Sequence, residues 1–400
     1  MKSWKTSYTA ILIAETLAMM GFGLSTPVIP LFIEDDIGIT DPVRLKAWVG
    51  LIQSSTAVSL AIFAPIWGHM ADIYSRRAML LRAMFGGTVV ISLMTFANSP
   101  WQLLVLKTIQ GCFTGTIAAA TVLTAGISPV AQVAFALGLL QTGIAVGNSL
   151  GPLIGGVLSD FLGHRVAFLG TGVATALAGI VVLKWVHDNF QPSLEVKTKK
   201  FSLLPDMKPI AASPMLITMM LVTFGVQSAN TVAAPMLPLF LKELARNLSE
   251  EPAYIGSSTG IVLGVGAAFS ALAAVLAGKY STRIGYWKTL IICLSAGAAL
   301  TVPQAFVSNM YQLTVLRALS SFFTGGTAPM ISAIIAVSSE KEHQGTIYGV
   351  NASVTATGGA LGPLIGSVAA MLSYRAVFVT TAIILGLSAF EAARRRRMSA

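Results

Sequence analysis

Long apolar stretches recur along the whole chain, separated by short polar connections, and they limit what it can fold into. Leu103–Leu123 and Phe168–Trp185 are two examples, each about 20 residues long. A helix of that length crosses a hydrocarbon core of roughly 30 Å and satisfies its backbone groups internally. Only 10% of the residues are charged, against about 25% in soluble domains. The sequence therefore predicts an integral membrane protein.

The spacing of these stretches predicts an all-α membrane protein with twelve transmembrane helices. Short polar turns at Asn98–Pro100 and Ser308–Met310 separate helices that must run antiparallel. The predicted helices lie near residues 8–33, 47–71, 78–97, 101–123, 133–159, 165–186, 211–240, 254–278, 288–307, 311–335, 345–371 and 375–392.

The distribution of positive charge predicts the orientation. With the termini on one side, that side holds 18 of the 26 basic residues and the other side holds six. Basic loops stay in the cytoplasm, so both termini are predicted to be cytoplasmic. The net charge of +10 is then a consequence of topology, and no nucleic-acid partner is expected.

The two halves of the chain resemble each other at an offset of about 210 residues. Residues 101–120 and 311–330 are identical at eight of twenty positions. The repeat predicts two pseudo-symmetric six-helix bundles, residues 1–186 and 211–400, joined by a polar cytoplasmic linker at 187–210. Two parallel six-helix repeats are a known transporter plan, with the substrate site at their interface.

A first motif lies between the second and third helices, at Gly68, Asp72, Arg76 and Arg77. With this motif and those that follow, the chain resembles the major facilitator superfamily, specifically its twelve-helix drug:proton antiporter branch. The resemblance implies that these four residues form a conformational latch between the halves. Ser75 stands where the family pattern has glycine. A solvated basic loop is the alternative interpretation.

The second motif is the most specific one. The antiporter pattern G-x8-G-x3-G-P-x2-G-G is matched at every fixed position by Gly138, Gly147, Gly151, Pro152, Gly155 and Gly156. The second half repeats it, with Ser367 in place of the last glycine. Glycine recurs every four positions at Gly143, Gly147, Gly151 and Gly155, which places these residues on one face of the helix. A face of small residues lets another backbone approach closely. The resemblance implies export. It also implies that this helix packs across the interface between the halves against the eighth helix, which has a matching face of Gly256, Gly260 and Gly264.

Three ionisable residues sit well within predicted spans, away from their ends: Glu15, Lys107 and Arg317. Inserting each of these charges into the membrane costs up to about 3 kcal/mol. A residue that is present despite that cost is a candidate for proton or substrate coupling. The resemblance favours Glu15, since some multidrug members carry an essential acid at the matching place. The family usually has arginine at Lys107. Each residue also has an alternative interpretation. Glu15 would be an acid near the cytoplasmic membrane interface, and Lys107 would extend its charge to the outer membrane surface. Arg317 would be present only because the second half repeats the first.

Five uncharged polar residues also fall inside spans. They either line a substrate pathway or bond between helices, and they are Gln110, Gln141, Gln227, Asn230 and Asn351.

The resemblance implies proton-coupled efflux of amphipathic or cationic small molecules by alternating access. The alternative is an exporter or facilitator of one specific sugar, metabolite or lipid. Neither an enzymatic activity nor a cofactor or metal is predicted. The expected partners are a small-molecule substrate, protons and the lipid bilayer, and the expected state is a monomer in the bacterial cytoplasmic (inner) membrane.

Overall fold

The computed structural model of the protein describes residues 4–73, 75–129, 132–188, 210, 213–247, 254–339 and 344–399. Within these residues twelve helical spans are long and apolar enough to cross a membrane, as the sequence predicts. Numbered in chain order, spans 1 to 12 are Trp4–Asp36, Pro42–Phe63, Arg76–Met94, Pro100–Ile127, Phe135–Leu162, His164–Trp185, Pro214–Arg246, Ile255–Ser281, Tyr286–Phe306, Met310–Ser338, Ile347–Leu372 and Tyr374–Met398.

The two predicted polar turns begin spans 4 and 10 in the same way. Ser99 caps span 4 by accepting a hydrogen bond from the Gln102 backbone N–H at 3.3 Å. The Gln102 side chain in turn accepts one from the Asn98 N–H at 2.8 Å. Asn309 and Gln312 repeat this arrangement at span 10. Such reciprocal caps satisfy backbone donors that the helix leaves free.

Four spans are interrupted near their middle. In spans 1 and 7 the first helix ends at Leu24 and Val232, just before Pro27 and Pro235, since proline lacks a backbone N–H and disfavours a helical conformation in the residue before it. Span 4 consists of the helices Pro100–Phe113 and Thr116–Ile127. Span 10 consists of Met310–Gly325 and Thr327–Ser338.

The chain forms two compact units. The first contains Met1–Gly38, Val58–Leu203 and Tyr254–Gly260. The second contains Ile39–Ala57, Leu204–Ala253 and Ile261–Ala400. The starts of spans 2 and 8 therefore belong to the unit built mainly from the other half of the sequence. Each unit has its own apolar core, with Ile11, Leu80 and Met84 in the first and Met219, Leu290 and Ile334 in the second.

The predicted bundle boundaries at 186 and 211 stay a prediction. Most of the predicted linker, residues 189–209, lies outside the described residues.

Candidate functional site

Glu15 is completely buried inside span 1. Its Oε1 accepts a hydrogen bond of 3.0 Å from the hydroxyl of Thr116, which is itself buried. Its Oε2 is buried and has no hydrogen-bond partner among the described residues. Since an isolated buried carboxylate is costly, this group is suited to take up a proton or a cation.

Lys107 and Gln110 lie on the helix before the break in span 4, and both are buried. Residues three apart on a helix are neighbours on its surface, so the two define one polar face. The Gln110 Oε1 has no hydrogen-bond partner among the described residues. The burial of Lys107 supports a lysine whose side chain lies inside the bundle rather than a snorkelling lysine.

The second unit holds four of the remaining predicted residues, Arg317, Gln227, Asn230 and Asn351. Asn351 accepts a hydrogen bond of 2.9 Å from Thr223, so it ties span 11 to span 7. Arg317 and Gln227 are partly buried and Asn230 is exposed. Gln141, in the first unit, is also exposed. Of the five pathway candidates, Asn351 thus fits the alternative of a bond between helices.

The two arginines of the latch motif contact carbonyls within the first unit. Arg76 donates to the Val122 carbonyl at 3.5 Å, and Arg77 donates to the Leu183 carbonyl at 2.6 Å. Gly68 and Asp72 lie in the helix Pro42–Ile73, but the Asp72 side chain lies outside the described residues. The latch therefore stays a prediction.

Ser75, which departs from the family pattern, caps span 3. Its hydroxyl accepts from the Ala78 N–H at 3.2 Å and lies 3.1 Å from Oδ2 of Asp188, to which it donates. Asp188 also accepts from the Arg77 N–H at 3.4 Å. The serine thus ties the start of span 3 to the chain just after span 6, a contact that sequence reasoning missed.

The glycine face of span 5 packs against span 1, a contact that the sequence did not predict. If Gly147 carried a side chain, its Cβ would lie 2.6 Å from the carbonyl oxygen of Thr16. A Cβ added to Gly151 would lie 2.5 Å from the carbonyl oxygen of Met20. A Cβ at Gly155 would overlap the Leu24 carbonyl. Four-residue spacing follows one side of the helix, and that side faces span 1 and brings its backbone close.

Span 8 does meet span 5, through other residues of the same motif. A Cβ at Gly156 would overlap the Gly256 carbonyl, and one at Gly260 would overlap that of Pro152. At Gly138, by contrast, no atom of the described residues lies within 4 Å of the position of a Cβ. The motif therefore forms the contacts of span 5 with span 1 and with span 8. Gly138 takes part in neither contact among the described residues.

The second copy of the motif uses Ser367 at the place of Gly156. A Cβ at Gly50 in span 2 would lie 2.5 Å from the Ser367 Cβ. The Ser367 hydroxyl donates to the Lys46 carbonyl at 2.6 Å. The Lys46 ammonium in turn lies 4.2 Å from the centre of the Tyr374 ring. The departure from glycine thus supplies a hydrogen bond between spans 2 and 11.

Asp160, which sequence analysis did not single out, lies at the end of span 5. Its two carboxylate oxygens accept from the backbone N–H groups of Gly256 at 2.9 Å and Ser257 at 2.6 Å. A carboxylate is favoured at a helix N-terminus. The acid was missed because its partners lie 96 and 97 residues away.

Comparison with known proteins agrees with this architecture. The profile of the Major Facilitator Superfamily matches residues 11–308 and 257–397. The chain is 33% identical to "Multidrug resistance protein MdtG" of Salmonella arizonae over 402 residues, covering 99% of this chain and 98% of that protein. It is 34% identical to MdtG of Enterobacter lignolyticus over 387 residues, covering 96% and 90%.

Two solved transporters share the fold at low sequence identity. The nucleoside transporter NupG superposes with a TM-score of 0.78 at 13% identity, covering 97% of this chain and 98% of that one. A bacterial homologue of the human lysosomal transporter Spinster gives 0.79 at 14% identity, covering 98% and 97%.

Proposed function

Because the chain belongs to the Major Facilitator Superfamily, we propose that it exports amphipathic or cationic small molecules in exchange for protons. Alternating access of one substrate site to the two sides of the membrane is the proposed mechanism. The relatives that match nearly the whole chain are named multidrug resistance proteins, which supports drug-like substrates. The proposed location is the bacterial inner membrane, with both termini cytoplasmic and the protein a monomer.

The single observation that carries the proposal is the Glu15 carboxyl. It lies fully buried in span 1, and one of its oxygens has no hydrogen-bond partner among the described residues. A proton and a cationic substrate both neutralise a carboxylate, so binding of one displaces the other. This competition converts proton entry into substrate release.

The charge of the substrate decides which gradient drives this exchange. One proton exchanged for one monovalent cation moves no net charge, so only the pH gradient drives it. A neutral substrate exchanged for one proton moves one charge, and the membrane potential then adds about 2.3 kcal/mol per 100 mV. Comparing both gradients therefore reports the net charge moved per cycle, which gives the charge of the substrate when one proton is exchanged.

The predicted sequence halves, 1–186 and 211–400, would supply the two moving bodies. Asp72 would hold them in one state as part of the predicted latch with Gly68, Arg76 and Arg77.

The test is transport in proteoliposomes under an imposed pH gradient. The panel contains unrelated fluorescent cations, neutral drugs and anionic compounds. Anions are included because spans 4 and 10 each contain a basic side chain, Lys107 and Arg317. Accumulation of several unrelated compounds, together with substrate-driven proton movement, is expected. Glu15→Gln should abolish the proton movement.

The matched control is Glu391→Gln, which removes a carboxyl that pairs with Arg394 one turn along span 12. Such an exposed pair contributes little to stability, so transport should persist. Movement of a single neutral solute, indifferent to the pH gradient and to Glu15→Gln, would refute the proposal in favour of a specific exporter or facilitator.

A further inference from the structure

The break in span 4 places Thr116 at the start of a new helix inside the span. Thr114 is extended, with ψ 165°, and Gly115 has φ +124°. That region of backbone space favours glycine. The first hydrogen bond of the new helix runs from the Ala119 N–H to the Gly115 carbonyl, so the N–H groups of residues 116–118 have no acceptor within the helix.

The hydroxyl of Thr116 is directed to the carboxyl of Glu15. The two side chains have relative exposures of 1% and 0%, and the hydrogen bond between them measures 3.0 Å. The hydroxyls of Thr16, Thr88 and Thr171 instead donate to the carbonyl four residues earlier. The carboxyl also lies near the positive end of the helix Thr116–Ile127.

The second half of the chain provides a natural comparison. Span 10 restarts at Thr327, whose hydroxyl donates to the Thr324 carbonyl at 2.6 Å. By the offset that aligns Pro27 with Pro235, the counterpart of Glu15 is Thr223. The second helix of spans 4 and 10 thus begins with a threonine in both halves, Thr116 and Thr327. An acid at the place of Glu15 occurs only in the first half.

Other titratable groups on the packed elements lie toward the ends of the bundle. Spans 5 and 6 and the helix Thr116–Ile127 pack against span 1. Span 5 carries Asp160, which lies 13 residues, or about 20 Å, beyond the Gly147–Thr16 contact. Span 6 carries His164 and Arg165 at its start and Lys184 at its end, and Thr116–Ile127 carries no ionisable residue.

We propose that Thr116 is the positioning residue of Glu15, holding its carboxyl at the restart of span 4 and setting the pH at which it exchanges its proton. The hydroxyl can donate to the carboxylate or accept from the protonated acid, but the hydrogen bond to the ionised form is roughly twice as strong. This inference rests on the proposed function only where it concerns transport, because the protonation of Glu15 can be followed by itself.

The experiment is an infrared titration of the purified protein, following the carboxyl band that is lost in Glu15→Gln. Thr116→Val keeps the shape of the side chain but removes the hydroxyl. Both forms then lose a hydrogen bond, but the ionised carboxylate loses the stronger one, so the midpoint should move to higher pH by about one unit. Thr116→Ser should restore the parent midpoint. The control Thr327→Val removes the corresponding hydroxyl of span 10 and should leave the midpoint unchanged.

The same four proteins are then compared in a pH series of substrate-driven proton release. A midpoint does not depend on the fraction of active protein, so reduced folding of Thr116→Val lowers the amplitude only. A parent-like midpoint in Thr116→Val, or an equal shift in Thr327→Val, would overturn the inference. An infrared shift without any proton release in the parent would instead contradict the proposed function.

Discussion

Asp160 caps the start of span 8 by accepting a hydrogen bond of 2.6 Å from the backbone N–H of Ser257. Residues Tyr254–Gly260 belong to the same compact unit as span 5, while the rest of span 8 belongs to the other. The cap therefore holds a short segment of the second sequence half on the first. In the predicted orientation, this contact faces the outside of the cell.

Removing that cap should loosen the start of span 8. Asp160→Ala leaves the Gly256 and Ser257 N–H groups without their acceptor, and loss of a capping side chain costs about 1 kcal/mol. Amide exchange of a peptide covering these residues should become about fivefold faster, measured by mass spectrometry.

The control is Asp41→Ala, which removes a cap at the start of span 2, where Asp41 accepts from the Arg44 N–H at 2.7 Å. It should leave exchange at residues 256 and 257 unchanged. Unaltered exchange in Asp160→Ala would show that the cap does not hold this segment.

The glycines of the antiporter motif should differ sharply in their tolerance of alanine. At Gly155 a Cβ would overlap the Leu24 carbonyl, and overpacking of this kind costs about 1–3 kcal/mol. Gly155→Ala should lower the folded yield and the thermal unfolding midpoint in detergent. The methyl group of Gly138→Ala meets no atom of the described part of the chain within 4 Å. This variant should match or exceed the parent, because alanine is favoured over glycine in a helix by about 1 kcal/mol. Equal losses at both positions would contradict this packing.

The sequence predicted the spans because hydropathy is a local property, but it could not predict the contacts between them. The apolar pattern of span 4 continues across Thr114 and Gly115, so the break there was not predicted. Glu15 was identified from its charge inside a span and from the family resemblance, whereas its partner Thr116 is 101 residues away. The glycine face was recognised from its spacing, but its contact with span 1 was not predicted, because spacing fixes a face of a helix and not what packs on it.

The bond between Ser75 and Asp188 should appear as a coupling energy. Ser75→Ala removes the cap of span 3 and the donor to Asp188, with an expected loss of about 1 kcal/mol. Ser75→Gly restores the family residue, yet it should also destabilise, by a few tenths of a kcal/mol. In a double-mutant cycle with Asp188→Ala, the two effects should be non-additive by about 0.5–1 kcal/mol, measured by thermal unfolding. Strict additivity would mean that the two side chains act independently.

Ser367 and Gly156 occupy equivalent positions in the two copies of the antiporter motif, and they should not be interchangeable. The Ser367 hydroxyl donates to the Lys46 carbonyl at 2.6 Å, so Ser367→Ala should cost about 1 kcal/mol and lower the thermal midpoint modestly. The reciprocal change, Gly156→Ser, places a Cβ against the Gly256 carbonyl, which must shift to admit it. That variant should lose about 1–3 kcal/mol and much of its folded yield. If Gly156→Ser were as stable as the parent, the close approach of spans 5 and 8 would be wrong.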